Sequence, residues 1–385
     1  MKLPSEVSDI RASPNGIRKI NIALLTGALA YPVIAVYSGG NIVIMSIWYG
    51  CFFASLALAF FRGQKRILIR TILFLILFYI IFLLCLVSGI TADYHKAQMF
   101  TIAVIVFGIL LSCVLDDPDF LELMPITLAL VGMIAIIGLI GSPTSYSSDR
   151  VSIGSANPIW AARALGLFGI SGVYWAVFKQ RFSLATVAMV CASLAAITIT
   201  GSRGPFLGLC ATLTYAILFL MKKKRHSRVI AVVYAGAFII LVIYSYDFVP
   251  NLRIFSGESM NSGFSRIEIY KYALSLIWMF PRGIGIGYFH YYQFSYPHNI
   301  ILEIMVEWGW FIGAIILLLI LLGSFRLLIS PPKYNVLKLI LIYELFNACV
   351  SGDITSPRML YALILIGLFP ARPKMSRYVP GVRDL

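Results

Sequence analysis

The sequence predicts an all-α integral membrane protein of about twelve transmembrane helices, on three observations. The 385 residues are 60% hydrophobic and only 12% charged. Their mean hydropathy of +0.90 exceeds that of ordinary soluble domains. Apolar runs of about 20 residues, enough to cross a bilayer, recur along the whole chain. Basic residues gather in every second connection between those runs.

In chain order the runs fall near 20–37, 42–61, 67–88, 99–115, 124–141, 159–178, 182–200, 205–221, 229–246, 299–323, 336–351 and 358–371. They form a single polytopic domain over 1–385. No short apolar stretch ends in a small-residue cleavage site, so the first run is expected to be retained as a span. Most of the 31 Lys and Arg lie near the N-terminus, at 62–70, at 179–181, in KKKRHSR at 222–228, at 326–338 and in the C-terminal tail. The positive-inside rule then places both ends in the cytoplasm. The basic residues on the other side are Lys96, Arg150, Arg203, Arg253, Arg266, Lys271, Arg282 and Arg358, with Arg163 inside a span. A net charge of +15 spread over short loops is a topology signal rather than a nucleic-acid footprint.

The six cysteines all fall in apolar runs, with no CxxC, and read as small core residues. No His, Asp and Glu cluster has metal-ligand spacing, and His290 and His298 are only two groups in a bend. Inner loops are short. The outer side has a polar turn at 142–158 and a long segment at 247–298. Within the latter, SRIEIYKYALSLIWMF spaces Ile267, Tyr270, Ala273, Leu274, Ile277 and Trp278 as an amphipathic helix too short to span. Pro281 ends it, and Gly283, Gly285 and Gly287 bend the chain that follows.

The chemistry concentrates in YPHNIILEIMVEWGWFIGA at 296–314 and TITGSRGPFLGL at 198–209. A charged side chain in hydrocarbon costs roughly 2.5–3.5 kcal/mol on insertion scales, so Glu303 and Glu307 need partners. On a helix Asn299, Glu303 and Glu307 share one face, with His298 at the outer mouth. At 1.5 Å per residue Glu307 lies about 13 Å deeper than His298. That depth predicts a stripe of structural groups paired with buried arginines. Ser202 and Arg203 interrupt two spans at a turn tightened by Gly201, Gly204 and Pro205, and Arg266 heads the amphipathic helix.

TGSRGP, SRIEIYKYALSLI, GIGIGYF and HNIILEIMVEWGWFIGA, in this order over 198–314, resemble the motifs of the O-antigen ligase and O-antigen polymerase superfamily. The resemblance implies a GT-C-like membrane glycosyltransferase acting at the periplasmic face. Its donor would be a glycan on undecaprenyl diphosphate, with no metal or other cofactor. Its acceptor would be the lipid A-core or a second lipid-linked glycan. Carried onto matching positions, Arg203 and Arg266 bind the diphosphate and His298 acts on the acceptor hydroxyl, with Ser202, Asn299 and Glu303 beside the substrate. Arg150 and Asn157 stand in DRVSIGSANPIWAARA, where the family's paired-Asn pattern is incomplete because Ile159 occupies the second Asn position.

The chemistry of the residues agrees. Planar arginines match the charge that develops on a departing diphosphate, and histidine titrates near neutral pH. A flippase or transporter would carry polar residues near mid-bilayer in two related halves, whereas here they collect at one face. Ligase and polymerase share every motif quoted, and chain length favours the ligase.

Overall fold

The computed structural model describes residues 93–101, 110–141, 143–147, 150–153, 158–221, 266–292, 296–351 and 353–370, with isolated positions elsewhere. The expected spans at 20–37, 42–61, 67–88 and 229–246 lie largely or wholly outside these residues. So do the basic loop at 222–228, both chain ends, residues 247–265 and Asn157.

The described chain is helical apart from one hairpin. It runs α1 (Tyr94–Thr101), α2 (Leu110–Leu115), α3 (Pro118–Gly141), β1 (Pro143–Ser147), β2 (Arg150–Ile153), α4 (Pro158–Val177), α5 (Leu184–Ile199) and α6 (Arg203–Met221). There follow α7 (Arg266–Met279), a 3₁₀ turn at Tyr288–Tyr292, α8 (Ile300–Leu328), a 3₁₀ turn at Pro332–Tyr334, α9 (Asn335–Val350) and α10 (Arg358–Leu368). The polar stretch 142–158 is therefore not a plain turn. Its alternating PTSYS and RVSI pair antiparallel, with Thr144 opposite Ser152.

Local sequence sets the helix ends. Pro118 sits in the first helical position of α3, where its missing N–H is no loss. Ser183 and Thr186 form a reciprocal capping box at α5. Asn299 Oδ1 accepts from Ile301 N at 2.9 Å and Leu302 N at 3.2 Å, covering two of the orphan donors of α8.

Two described helices, Phe120–Gly141 and Ile300–Leu328, are long and apolar enough to span a bilayer. The apolar window of the second is only 28% buried inside the protein. Phe311, Leu318, Leu321 and Phe325 project outward from it. An apolar surface of that extent is stable against lipid, not water.

Small residues let the helices approach closely. Tyr343 of α9 is fully buried between Gly166 of α4 and Gly208 of α6. Its hydroxyl reaches Arg163 O at 3.1 Å and Ala162 O at 3.3 Å. Three helices thus meet on one phenol, about two turns before the C-terminal end of α9.

The sequence predicted an unbroken span from 299 to 323; the structure breaks it. Gly309 has φ 72° and ψ −179°, so α8 is two helices end to end. The carbonyls freed at the break are not left bare. Val306 O accepts from Ile284 N at 2.9 Å and Glu307 O from Gly285 N at 3.1 Å, while Trp310 N donates to Pro281 O at 2.9 Å. The glycine-rich bend after α7 thereby supplies the partners that the interrupted helix lacks. Helix α7 lies against this first half of α8. Ala273, Leu276 and Ile277 pack with Phe289 and Val306, while Ile267, Leu274 and Trp278 stay exposed. Only part of the predicted stripe faces the protein, and the remainder is open on the other side of α7.

Trp310–Leu328 covers about 28 Å at 1.5 Å per residue, close to the hydrocarbon thickness. Trp310 packs edge-on against Trp278, with ring centroids 4.8 Å apart. This is the kind of aromatic pair that favours the membrane boundary. Glu303 and Glu307 precede the break, in the half of α8 that lies against α7.

Gly309→Ala is expected to destabilise the protein. Its backbone conformation is essentially reserved for glycine, costing an L-residue roughly 1–3 kcal/mol, and a Cβ would press on the backbone of 281–283. Thermal unfolding in detergent should show a Tm lower by a few °C. Gly141→Ala, where a Cβ meets nothing within 4 Å, should leave it unchanged.

Candidate active site

The end of the bundle that carries the Gly309 break also gathers the polar groups. At its centre the Lys96 ammonium donates to Glu303 Oε1 at 2.6 Å and Glu307 Oε1 at 2.9 Å. Both carboxylates are completely buried. The expected arginine partners of this stripe are replaced by one lysine from α1, a residue that reads in the sequence as an ordinary outer-loop charge. Two carboxylates one turn apart need only one cation between them, and a lysine is a compact charge suited to bridging. Gly287 lets the bend lie directly on Lys96 and Asp93, and Asp93 N donates to Ile286 O at 2.7 Å.

The other oxygen of Glu303 accepts from Ile354 N at 2.9 Å, tying α8 to the loop before α10. Tyr361 Oη donates to Ile354 O in the same loop. Asp353 holds this loop in a tight turn, accepting from Thr355 Oγ1 at 2.8 Å and from Ser356 Oγ.

Beside the triad lies a cationic group. Arg266 Nη1 donates to Val350 O at 2.9 Å, and Arg163 Nη2 to Ser351 O at 3.2 Å. Consecutive carbonyls at the end of α9 thus hold guanidiniums from α7 and α4. A helix C-terminus is the negative end of its dipole and has carbonyls without internal partners, so two arginines are stable there. The Ser202–Arg203 turn packs on the same spot, because a Cβ on Gly204 would run into Ser351 Oγ. Arg203 opens α6 from this turn, half-buried, and Ser202 is buried just before it.

His298 borders this group. It has φ 58°, a left-handed backbone rarely adopted by residues with side chains. Its ring lies against Tyr296, with centroids 4.3 Å apart. The Tyr296 phenol marks the meeting point electrostatically. Burial raises its pKa, Asp353 and Glu303 raise it further, and Arg163 and Arg266 pull it down. All four charges therefore act on one hydroxyl.

Of the residues expected from sequence, Arg203, Arg266, Ser202, His298, Asn299 and Glu303 come to this end. Asn299 is occupied as a helix cap, and Glu303 is engaged through both oxygens. Arg150 is on β2, which packs on α3 and α4; its side chain and Asn157 lie outside the described residues. Sequence reasoning missed Lys96, Tyr296 and Asp353. Two carboxylates on one apolar stripe signal that some cation must reach their depth, but nothing local to Lys96 marks it as that cation. Among the described residues no group of His, Cys, Asp and Glu is arranged to hold a metal ion.

Residues 187–318 match the family model described as O-antigen ligase. No curated protein matches the chain. The matched segment contains Ser202, Arg203, Arg266, His298, Glu303, Glu307 and the Gly309 break. Lys96, Arg163 and Asp353 lie outside it and fold onto it.

Lys96→Met should strand two buried carboxylates, a defect of about 3–5 kcal/mol, and lower the amount of folded protein. Adding Glu303→Gln and Glu307→Gln in the same chain should restore much of it, because neutral amides need no cation. Fluorescence-detected size exclusion of the three proteins reads this directly. Equal loss in the single and the triple variant would show that Lys96 acts through something other than its charge.

Proposed function

We propose, from the match of residues 187–318 to the family model described as O-antigen ligase, that this membrane protein transfers a glycan from undecaprenyl diphosphate to an acceptor hydroxyl at the periplasmic face of the bacterial inner membrane. The acceptor in this reading is the lipid A-core of lipopolysaccharide. The observation that carries it is the convergence at one end of the bundle of Arg266, the Ser202–Arg203 turn and His298. The fold is read as GT-C-like, with both termini in the cytoplasm and 247–298 in the periplasm.

In this mechanism the acceptor oxygen attacks the anomeric carbon as the bond from that carbon to the phosphate oxygen breaks. Negative charge then grows on the departing undecaprenyl diphosphate. Arg203 and Arg266 stabilise it with charge-assisted hydrogen bonds, the form of catalysis in which fixed charges meet charge that develops only in the transition state. No proton is needed on the leaving group when two guanidiniums hold it. The acceptor hydroxyl loses its proton to the His298 imidazole, a side chain that can take a proton on one ring nitrogen and release it again. The left-handed backbone at His298 fits this role, because strained conformations persist where the surrounding structure enforces them and cluster at functional sites. The triad of Lys96, Glu303 and Glu307 holds the helix start from which His298 projects.

The reading is tested with purified protein and a lipid-linked glycan donor. Arg203→Ala and Arg266→Ala should each lower turnover by about 10²-fold or more at normal membrane levels, with Lys recovering only part of it. His298→Asn keeps a residue that tolerates a left-handed backbone but cannot take a proton, and should be inactive while folded. Near-wild-type turnover in His298→Asn would remove the general-base role. In cells, deletion of a ligase leaves uncapped core and polymer on the lipid carrier; core carrying single repeats would indicate a polymerase instead.

A further inference from the structure

Arg163 is a charged residue within an apolar span, and the roles above leave it unused. Intramembrane charges are rare and mark functional pathways unless fully paired. Arg163 is not fully paired. Nη2 donates to Ser351 O, while the buried Nε makes no hydrogen bond. Glu344 of α9 lies within electrostatic range, but no ion pair between the two forms within 4 Å.

A second orphan sits nearby. Ser202 immediately precedes α6, where a serine hydroxyl ordinarily caps the helix, yet its Oγ makes no hydrogen bond although the residue is only 3% exposed. Buried polar atoms are almost always satisfied, and an unsatisfied one loses its full hydration. Two such atoms, both next to residues that touch Ser351, mark a place built for a polar group from outside the protein. The surroundings fix its charge. Arg163 and Arg266 sit on adjacent carbonyls, and the N-terminus of α6 with Arg203 opens towards the same spot. Positive dipole and guanidiniums together select an anion rich in oxygen acceptors.

We propose that Arg163 is a third guanidinium of the diphosphate site and that Ser202 Oγ donates to the same group. This rests on the transferase reading above. A diphosphate carries enough acceptor oxygens to engage three planar donors at once, and Arg163 Nε is positioned as the unused donor of the set. The bond of Nη2 to Ser351 O orients the guanidinium, and the Tyr343 hydroxyl on Arg163 O anchors the helix beneath it.

The experiment measures inorganic pyrophosphate binding to the full chain in detergent by calorimetry, alongside transfer kinetics. Arg163→Gln should raise the pyrophosphate Kd by about tenfold or more and lower kcat/KM by about 10²-fold; Ser202→Ala should weaken binding several-fold. If Arg163 merely neutralises Glu344, then Arg163→Gln combined with Glu344→Gln should recover both folding and transfer. Under the proposal it recovers folding alone, and this double variant decides the matter where the single one does not accumulate. Wild-type pyrophosphate affinity in the double variant, with affinity lost in Arg203→Ala and Arg266→Ala, would overturn the third arginine while leaving the transferase intact. Absence of pyrophosphate binding and of transfer in the unaltered protein would overturn both.

Discussion

The polar end of this protein depends on one ammonium group between two buried carboxylates. Lys96 joins α1 to α8 through Glu303 and Glu307, and Glu303 in turn takes the backbone N–H of Ile354. Two carboxylates without the lysine would be untenable in so dry a site, and the lysine without them equally so. Their mutual need fixes the rotation of the first half of α8 and the height of α1 beside it. The loop before α10 and the glycine bend after α7 follow, because each bonds to groups that this pairing has positioned. Such an arrangement adds little net stability compared with a well-packed apolar core, but it tolerates few alternative registers.

The break at Gly309 explains how a chain this apolar accommodates that polar centre. Had α8 continued straight, Glu307 would stand within an uninterrupted apolar helix and its carbonyl would be tied up internally. Interrupting the helix frees the carbonyls of Val306 and Glu307 to accept from Ile284 and Gly285. It also sets Trp310 at the head of a membrane-length segment. Irregular backbone is tolerated at this level because protein covers it on the side where it is exposed. The facing glycines at 283 and 309 are needed because each would thrust a Cβ into the other strand's backbone.

The C-terminal end of α9 is the second organising point. Its last carbonyls attract cations by ordinary helix electrostatics, and this draws Arg163 and Arg266 from helices far apart in sequence onto adjacent positions. A feature that stabilises the helix also assembles a cluster of donors beside His298. The carboxylates of Glu303 and Asp353 on the other flank keep the local charge from being purely positive. The end of the bundle is therefore polarised rather than uniformly basic.

Much of this was legible in the sequence wherever the cause is local. Apolar runs of bilayer length and the end of α7 at Pro281 each follow from residues within a few positions. The four-residue spacing that puts Glu303 and Glu307 on one face is equally local, as is the tight Ser202–Arg203 turn. The hairpin at 143–153 was not legible, because the serines and charges of PTSYS and RVSI read as a polar turn.

What the tertiary structure alone decided are the pairings between distant segments. Lys96 and Glu303 are separated by 207 residues, and nothing in either neighbourhood distinguishes a bridging lysine from a loop charge. Gly309 looks like any glycine in an apolar helix until the bend at 283–287 arrives to accept its altered backbone. Arg163 reads as an anomaly in a span until the carbonyl of Ser351 is placed beside it. Periodicity and caps are encoded by neighbours along the chain. The partner of a buried charge is selected by the whole packed bundle, through the cost of leaving that charge alone.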